Sequence, residues 1–101
     1  MFKTTPDATF IKTVYIPNGD ESLPLKLRFK RKNKPDLGAW TEAAKIKPDT
    51  ESLGEVIDGW IDVDKPYSTD ELTSLLLAYP GAGLAIYLGY LNGHMQAERK
   101  N

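Results

Sequence analysis

An α+β fold, with an N-terminal β-hairpin packed on a small bundle of three to four helices, is predicted by three features of this sequence. Residues 25–30 (LKLRFK) alternate strictly between apolar and basic side chains, the period of two that marks a half-buried antiparallel strand. The Asn18-Gly19 pair just upstream supplies the chemistry of a tight reversal. Beyond Pro35 the apolar spacing changes to three and four, the period of helices with one buried face. Two strands alone are not stable in water, so the helices are expected to cover the apolar side of the hairpin.

The elements follow in order. Residues 1–8 (MFKTTPDA) read as a loose arm, and residues 9–16 (TFIKTVYI) as a strand, because they are β-branched and aromatic with few helix formers. A loop from Pro17 to Pro24 closes the hairpin, which as a whole occupies residues 9–34. Residues 36–98 form the helical part. Asp36 is placed to cap a helix carrying Leu37, Trp40 and Ala44, with Lys45 and Lys47 at its carbonyl end and Pro48 as its stop. A second helix opens near Asp49 or Thr50, and its stripe is Leu53, Val56, Ile57 and Trp60, with an end near Gly59. Ser68-Thr69-Asp70-Glu71 is a capping box for a third helix with Leu72, Leu75, Leu76 and Tyr79 inward. Pro80-Gly81 ends it. The last helix runs from Gly81 or Ala82 to about Glu98, with Leu84, Leu88, Leu91 and Met95 on one stripe. A second stripe, Gly81, Ala85, Gly89 and Gly93, has almost no side chain. Each helical glycine costs about 1 kcal/mol against alanine, so this stripe is expected to serve the close approach of another helix or self-association.

Composition narrows the function classes. The 101 residues make one domain, and 41% hydrophobic content with two Trp, five Tyr and three Phe suffices for one core without staples. The absence of cysteine excludes a disulfide scaffold, a thiolate nucleophile and a cysteine-based zinc site. No charged-then-apolar leader is visible in Met1–Phe10, and the stretch from Leu72 to Met95 is broken by Pro80, so neither a signal peptide nor a membrane partner is expected. The net charge of −1 conceals an asymmetry: residues 1–48 carry +5 and residues 49–101 carry −6. Such halves can attract each other within one fold or between subunits of a homo-oligomer.

No set of residues has catalytic spacing. His94, the only histidine, lacks an identifiable orienting partner and reads as a surface residue near a helix end. Asp58, Asp62 and Asp64 do not match a calcium loop and read as a solvated connector. Gly81-Ala82-Gly83 precedes a helix but lacks the strand before it and the Lys-Ser/Thr after it that phosphate loops need, so it reads as a corner between helices. No cofactor and no metal are expected. Lys26, Arg28, Lys30, Arg31 and Lys32 form a basic cluster, the one feature that favours a nucleic-acid-binding module. Against nucleic acid stand the acidic balance of the whole chain and the lack of aromatics expected on that strand face, since Phe29 points the other way. The surplus apolar residues of the last two helices, Leu76, Tyr79, Leu84, Tyr87, Leu88, Leu91 and Met95, are the candidate partner-binding surface.

Taken in sequence, several segments resemble the small tail assembly chaperones of bacteriophages. They are the basic strand Leu25–Lys32, the helix with Trp40, and Gly59-Trp60-Ile61-Asp62-Val63-Asp64. Pro66-Tyr67-Ser68 with the leucine-rich helix, Pro80-Gly81-Ala82, and an aromatic helix ending Glu98-Arg99-Lys100-Asn101 complete the set. The resemblance covers most of the chain and is strongest from Trp60 onward. It implies a non-enzymatic protein of the host cytoplasm, absent from the mature virion, that binds the tape measure protein and helps tail tube subunits polymerise around it. A small structural tail-completion protein is the neighbouring alternative. The family often makes a longer product by ribosomal frameshift. Arg99-Lys100-Asn101 can be encoded with the slippery heptamer A AAA AAC if Arg99 uses AGA or CGA.

Overall fold

A computed structural model of the chain describes residues 1–95. Strands β1 (Thr9–Asn18) and β2 (Glu21–Lys30) pair antiparallel from Thr9↔Lys30 to Asn18↔Glu21. Their connection is the two residues Gly19-Asp20 instead of the longer loop expected between Pro17 and Pro24. Gly19 has φ +63° and Asp20 does not share it. A positive φ at the first central position alone is the pattern of a II′ turn, whose twist matches that of the flanking strands. Both prolines lie inside strands, where the ladder tolerates them. Pro17 sits on the edge strand, and Pro24 lies beyond the part of β2 that a third strand reaches.

That third strand was not foreseen. Helix α1 (Lys34–Ala44) is followed by α2 (Asp49–Val56), but the helix stops there and β3 (Ile57–Ile61) joins the free edge of β2. The sheet order is β1-β2-β3. Ile57 is already extended at φ −87°, ψ 124°. The expected helical stripe through Trp60 is thus corrected, for a physical reason. Ile57, Trp60 and Ile61 are β-branched or aromatic, Gly59 disfavours helix, and β2 offers unpaired backbone groups to them. Spacing of three and four over so short a run does not separate helix from strand. One irregularity, between Arg28 and Phe29, leaves Asp58 unpaired opposite β2.

Helix α1 is capped by Asn33, whose side-chain oxygen accepts from the Asp36 amide at 2.9 Å, so Asp36 lies inside the first turn and is not the cap. The capping box behaves as expected at α3 (Thr69–Ala78): Ser68 Oγ accepts from the Glu71 amide at 3.1 Å. Helix α4 (Ala82–Met95) follows after a bend of 117°. Its expected end near Glu98 lies outside the described residues. Among the described residues, no single helix is long and apolar enough to cross a membrane.

The helices all contribute to one core on one face of the sheet. Val14, Ile16, Leu25, Leu27, Phe29 and Ile57 from the sheet meet Trp40, Leu53, Val56, Leu72, Leu76, Ile86 and Tyr90 from the helices. Tyr90 is the aromatic centre, with ring centroids 5.0 Å from Phe29 and 4.9 Å from Trp40. Its hydroxyl donates to the Lys30 carbonyl at 2.7 Å, which ties α4 to the end of β2. The Trp40 indole likewise donates to the Ser52 carbonyl at 3.1 Å, joining α1 to α2. No buried side-chain donor or acceptor among the described residues lacks a partner.

Candidate functional site

The outward face of α4 is the most apolar exposed helix surface. Ile86 and Tyr90 point into the core, so the residues on the opposite side of the helix face solvent. Leu84 is 66% exposed, Leu88 46% and Met95 73%, with Leu91 half-buried between them. Positions 84, 88, 91 and 95 follow the four-three-four spacing of a single helical stripe. At its N-terminal end a shallow cleft of about 190 Å³ opens beside Leu84, lined by Ala44, Lys47, Asp49, Leu53 and Tyr87. Its charged lining residues are Lys47 and Asp49, and Lys47 is ion-paired at 2.8 Å with Glu55, which raises the Lys47 pKa, first through the hydrogen bond to Glu55.

Not every candidate contact lies on this surface. Leu76 is buried in the core, on α3, which packs against α2 and α4. Tyr87 is half-buried and stacked on Trp40 at 5.6 Å between ring centroids. Tyr79, the C-cap of α3, is half-buried and lines a separate cleft with Val63, Leu75 and Leu25. Leu77 and Ile46 are exposed apolar residues that the sequence reading passed over. The signal for Leu77 was the unbroken run Leu75-Leu76-Leu77, since a helix with one buried face cannot bury three successive residues. Ile46 stands in the short break between two helices, where no stripe claimed it.

The small-residue stripe finds a different neighbour from the expected helix. A Cβ on Gly81 would come within 3.1 Å of the Pro17 ring, and one on Gly89 within 2.6 Å of Val14 Cγ2. At Gly93 it would run into the Phe10 ring. Ala85 packs against the core between them. The stripe therefore seats α4 on the side chains of β1, which occupies this face within one protomer.

The basic cluster divides. Lys26, Arg28 and Lys30 project from the uncovered side of β2. Arg31 turns away, with Nε donating to the Asp7 carbonyl at 3.0 Å and its guanidinium 4.9 Å from the Phe10 ring centroid. The Lys32 amide donates to His94 Nε2 at 3.1 Å. That bond leaves Nδ1 to carry the proton toward the Tyr90 carbonyl, 2.9 Å away. His94 is thus a half-buried structural pin rather than a surface residue. Asp62, at φ 58°, sits 3.9 Å from Lys26, and Gly81-Ala82-Gly83 forms the corner between α3 and α4. Among the described residues no group of three or more His, Asp or Glu is placed to hold a metal ion.

Comparison with known protein families matches residues 1–101 to the family described as phage tail assembly chaperone. No curated protein and no solved structure matches the chain.

Proposed function

The chain belongs to the phage tail assembly chaperone family, and from that premise we propose that it binds the tape measure protein and assists tail tube assembly without catalysing a reaction. The observation that carries this reading is the exposed stripe of α4, where Leu84, Leu88 and Met95 stand on one helix face pointing away from the core. A tape measure protein is a long helix, and its apolar stripes need covering until tube subunits enclose it. A helix laid against α4 would meet Leu84, Leu88, Leu91 and Met95 through its own positions i, i+3, i+4 and i+7. Many copies along one polymer would gain from multivalency even if each contact is weak. The protein acts in the host cytoplasm and leaves before the virion is complete. A frameshifted longer product from the codons of Arg99-Lys100-Asn101, which lie outside the described residues, belongs to the same reading. The nucleotide sequence of those codons tests it.

The test of the surface is a double substitution, Leu84→Asp with Leu88→Asp, assayed for binding to recombinant tape measure fragments. Covering a leucine is worth about 1.5–3 kcal/mol when it passes from full exposure to full burial. Scaled to the exposure of these two, the loss is about 1.7–3.4 kcal/mol, or roughly 20- to 300-fold in affinity. Both positions face solvent, so the thermal midpoint should hold. A folded double variant that binds the fragments as tightly as the parent protein would refute the assignment.

A further inference from the structure

The face of the sheet opposite the helices carries a second surface. Lys26, Arg28 and Lys30 stand in one row along β2, and β1 sets apolar side chains beside that row. Ile11 pairs with Arg28 and Tyr15 with Pro24, one step beyond Lys26. Ile11 is 54% exposed and Tyr15 61%. On the other flank Ile61 of β3 is paired with Lys26 and half-buried. The Arg28 guanidinium lies across Gly59 of β3, where Nη1 would be 3.7 Å from a Cβ if Gly59 had one. An aromatic does therefore share the face of the basic row, supplied by the neighbouring strand rather than by β2 itself.

Charge on this face is largely unanswered. Among the described residues Lys26 has only Asp62, at 3.9 Å and with both side chains more than half exposed, a pairing of little strength in water. Arg28 and Lys30 have no carboxylate partner among the described residues. Alternate residues of a strand are spaced about 6.6–6.8 Å apart. The same repeat separates alternate side chains of any extended peptide laid along β2.

We propose that the uncovered sheet face, Lys26, Arg28 and Lys30 flanked by Ile11 and Tyr15, docks an acidic protein segment in extended conformation. Carboxylates at alternate positions would meet the basic row, and intervening or flanking apolar side chains would cover Ile11 and Tyr15. Nucleic acid fits the face less well. Among the described residues Tyr15 is the one exposed aromatic of the three strands, whereas base-stacking platforms present several. Because this face and the α4 stripe lie on opposite sides of the molecule, two partners can be held at once.

The experiment is amide-shift mapping on the isotope-labelled full chain at low salt. The probes are an alternating Glu-Tyr dodecapeptide, its Gln-Tyr counterpart and dodecauridylate. Expected are shifts confined to β1, β2 and β3 with the Glu-Tyr peptide, and binding at least about tenfold weaker for the uncharged one. Arg28→Glu with Lys30→Glu should cost at least about tenfold while leaving the thermal midpoint in place, and Leu77→Asp, on α3 and outside both surfaces, should leave peptide binding unchanged. No shifts with the Glu-Tyr peptide, shifts centred on α4, equal binding of the uncharged peptide, or tighter binding of dodecauridylate would each overturn the proposal. The outcome does not depend on whether α4 binds a tape measure protein.

Discussion

Gly89→Ala is the substitution that most directly tests how α4 is seated. At an unobstructed helical position alanine is more stable than glycine by about 1 kcal/mol. Gly89 is not unobstructed. The new methyl would stand 2.6 Å from Val14 Cγ2, whereas carbon atoms in good contact sit about 3.5–4.0 Å apart. Either α4 or β1 must move by about 1 Å. Val14 cannot yield cheaply, since it is buried, β-branched and held in the ladder opposite Leu25. Overpacking of this kind costs about 1–3 kcal/mol. After subtracting the gain in helix propensity, the net effect should be a loss of about 0–2 kcal/mol. Gly38 is the internal control, because nothing lies within 4 Å of its added Cβ. Gly38→Ala in α1 should therefore stabilise by about 1 kcal/mol. Urea unfolding of both variants, followed by tryptophan fluorescence, reads the two signs directly. In a Val14→Ala background the obstruction is gone, and Gly89→Ala should turn from harmful to helpful, a coupling of about 1–3 kcal/mol. If Gly89→Ala stabilised the parent protein as much as Gly38→Ala does, the close approach of α4 to β1 would be refuted.

Further expectations concern the tyrosine centre and the caps. Tyr90→Phe removes the donor to the Lys30 carbonyl and should cost about 1–3 kcal/mol, read from denaturant midpoints. Burial pushes the Tyr90 phenol up to about 12 from 10.0. The fold therefore favours the neutral phenol, and its contribution is complete below about pH 10 and is lost as pH rises toward about 12. Stability measured across that window should decline in the parent protein and decline less in Tyr90→Phe. Tyr67 shifts the same way, by burial first and the Asp58 carboxylate second, so the slope that remains reports on it. Ser68→Ala removes the acceptor for the Glu71 amide and should cost about 1 kcal/mol, a fall of roughly 4–8 °C in Tm.

Local chemistry alone determined much of this protein. The alternation of Leu25, Leu27 and Phe29 with Lys26, Arg28 and Lys30 set both faces of β2, because a period of two leaves one register that buries the apolar set. Ser68 and Glu71 marked the start of α3, since a cap acts within one turn. The stripe Leu84, Leu88 and Met95 could be read from helical spacing, and Leu91 with it. What spacing could not say was which stripe of α4 faces the core. Leucine is the more apolar choice, yet the side that meets the sheet is Gly81, Ala85, Gly89 and Gly93 with Ile86 and Tyr90, because Pro17, Val14 and Phe10 of β1 already fill that space. The same holds for β3: Ile57 to Ile61 is strand only because β2 has an open edge beside it, and a window of five residues carries no record of that edge. Tyr15 joined Lys26 and Arg28 on one face only through strand pairing, which no single segment displays. Periodicity and caps are decided within a turn or two of chain, and so they are written locally. The choice of neighbour is decided by shape and free hydrogen-bonding groups far away in sequence, and only the assembled tertiary structure contains both sides of that contact.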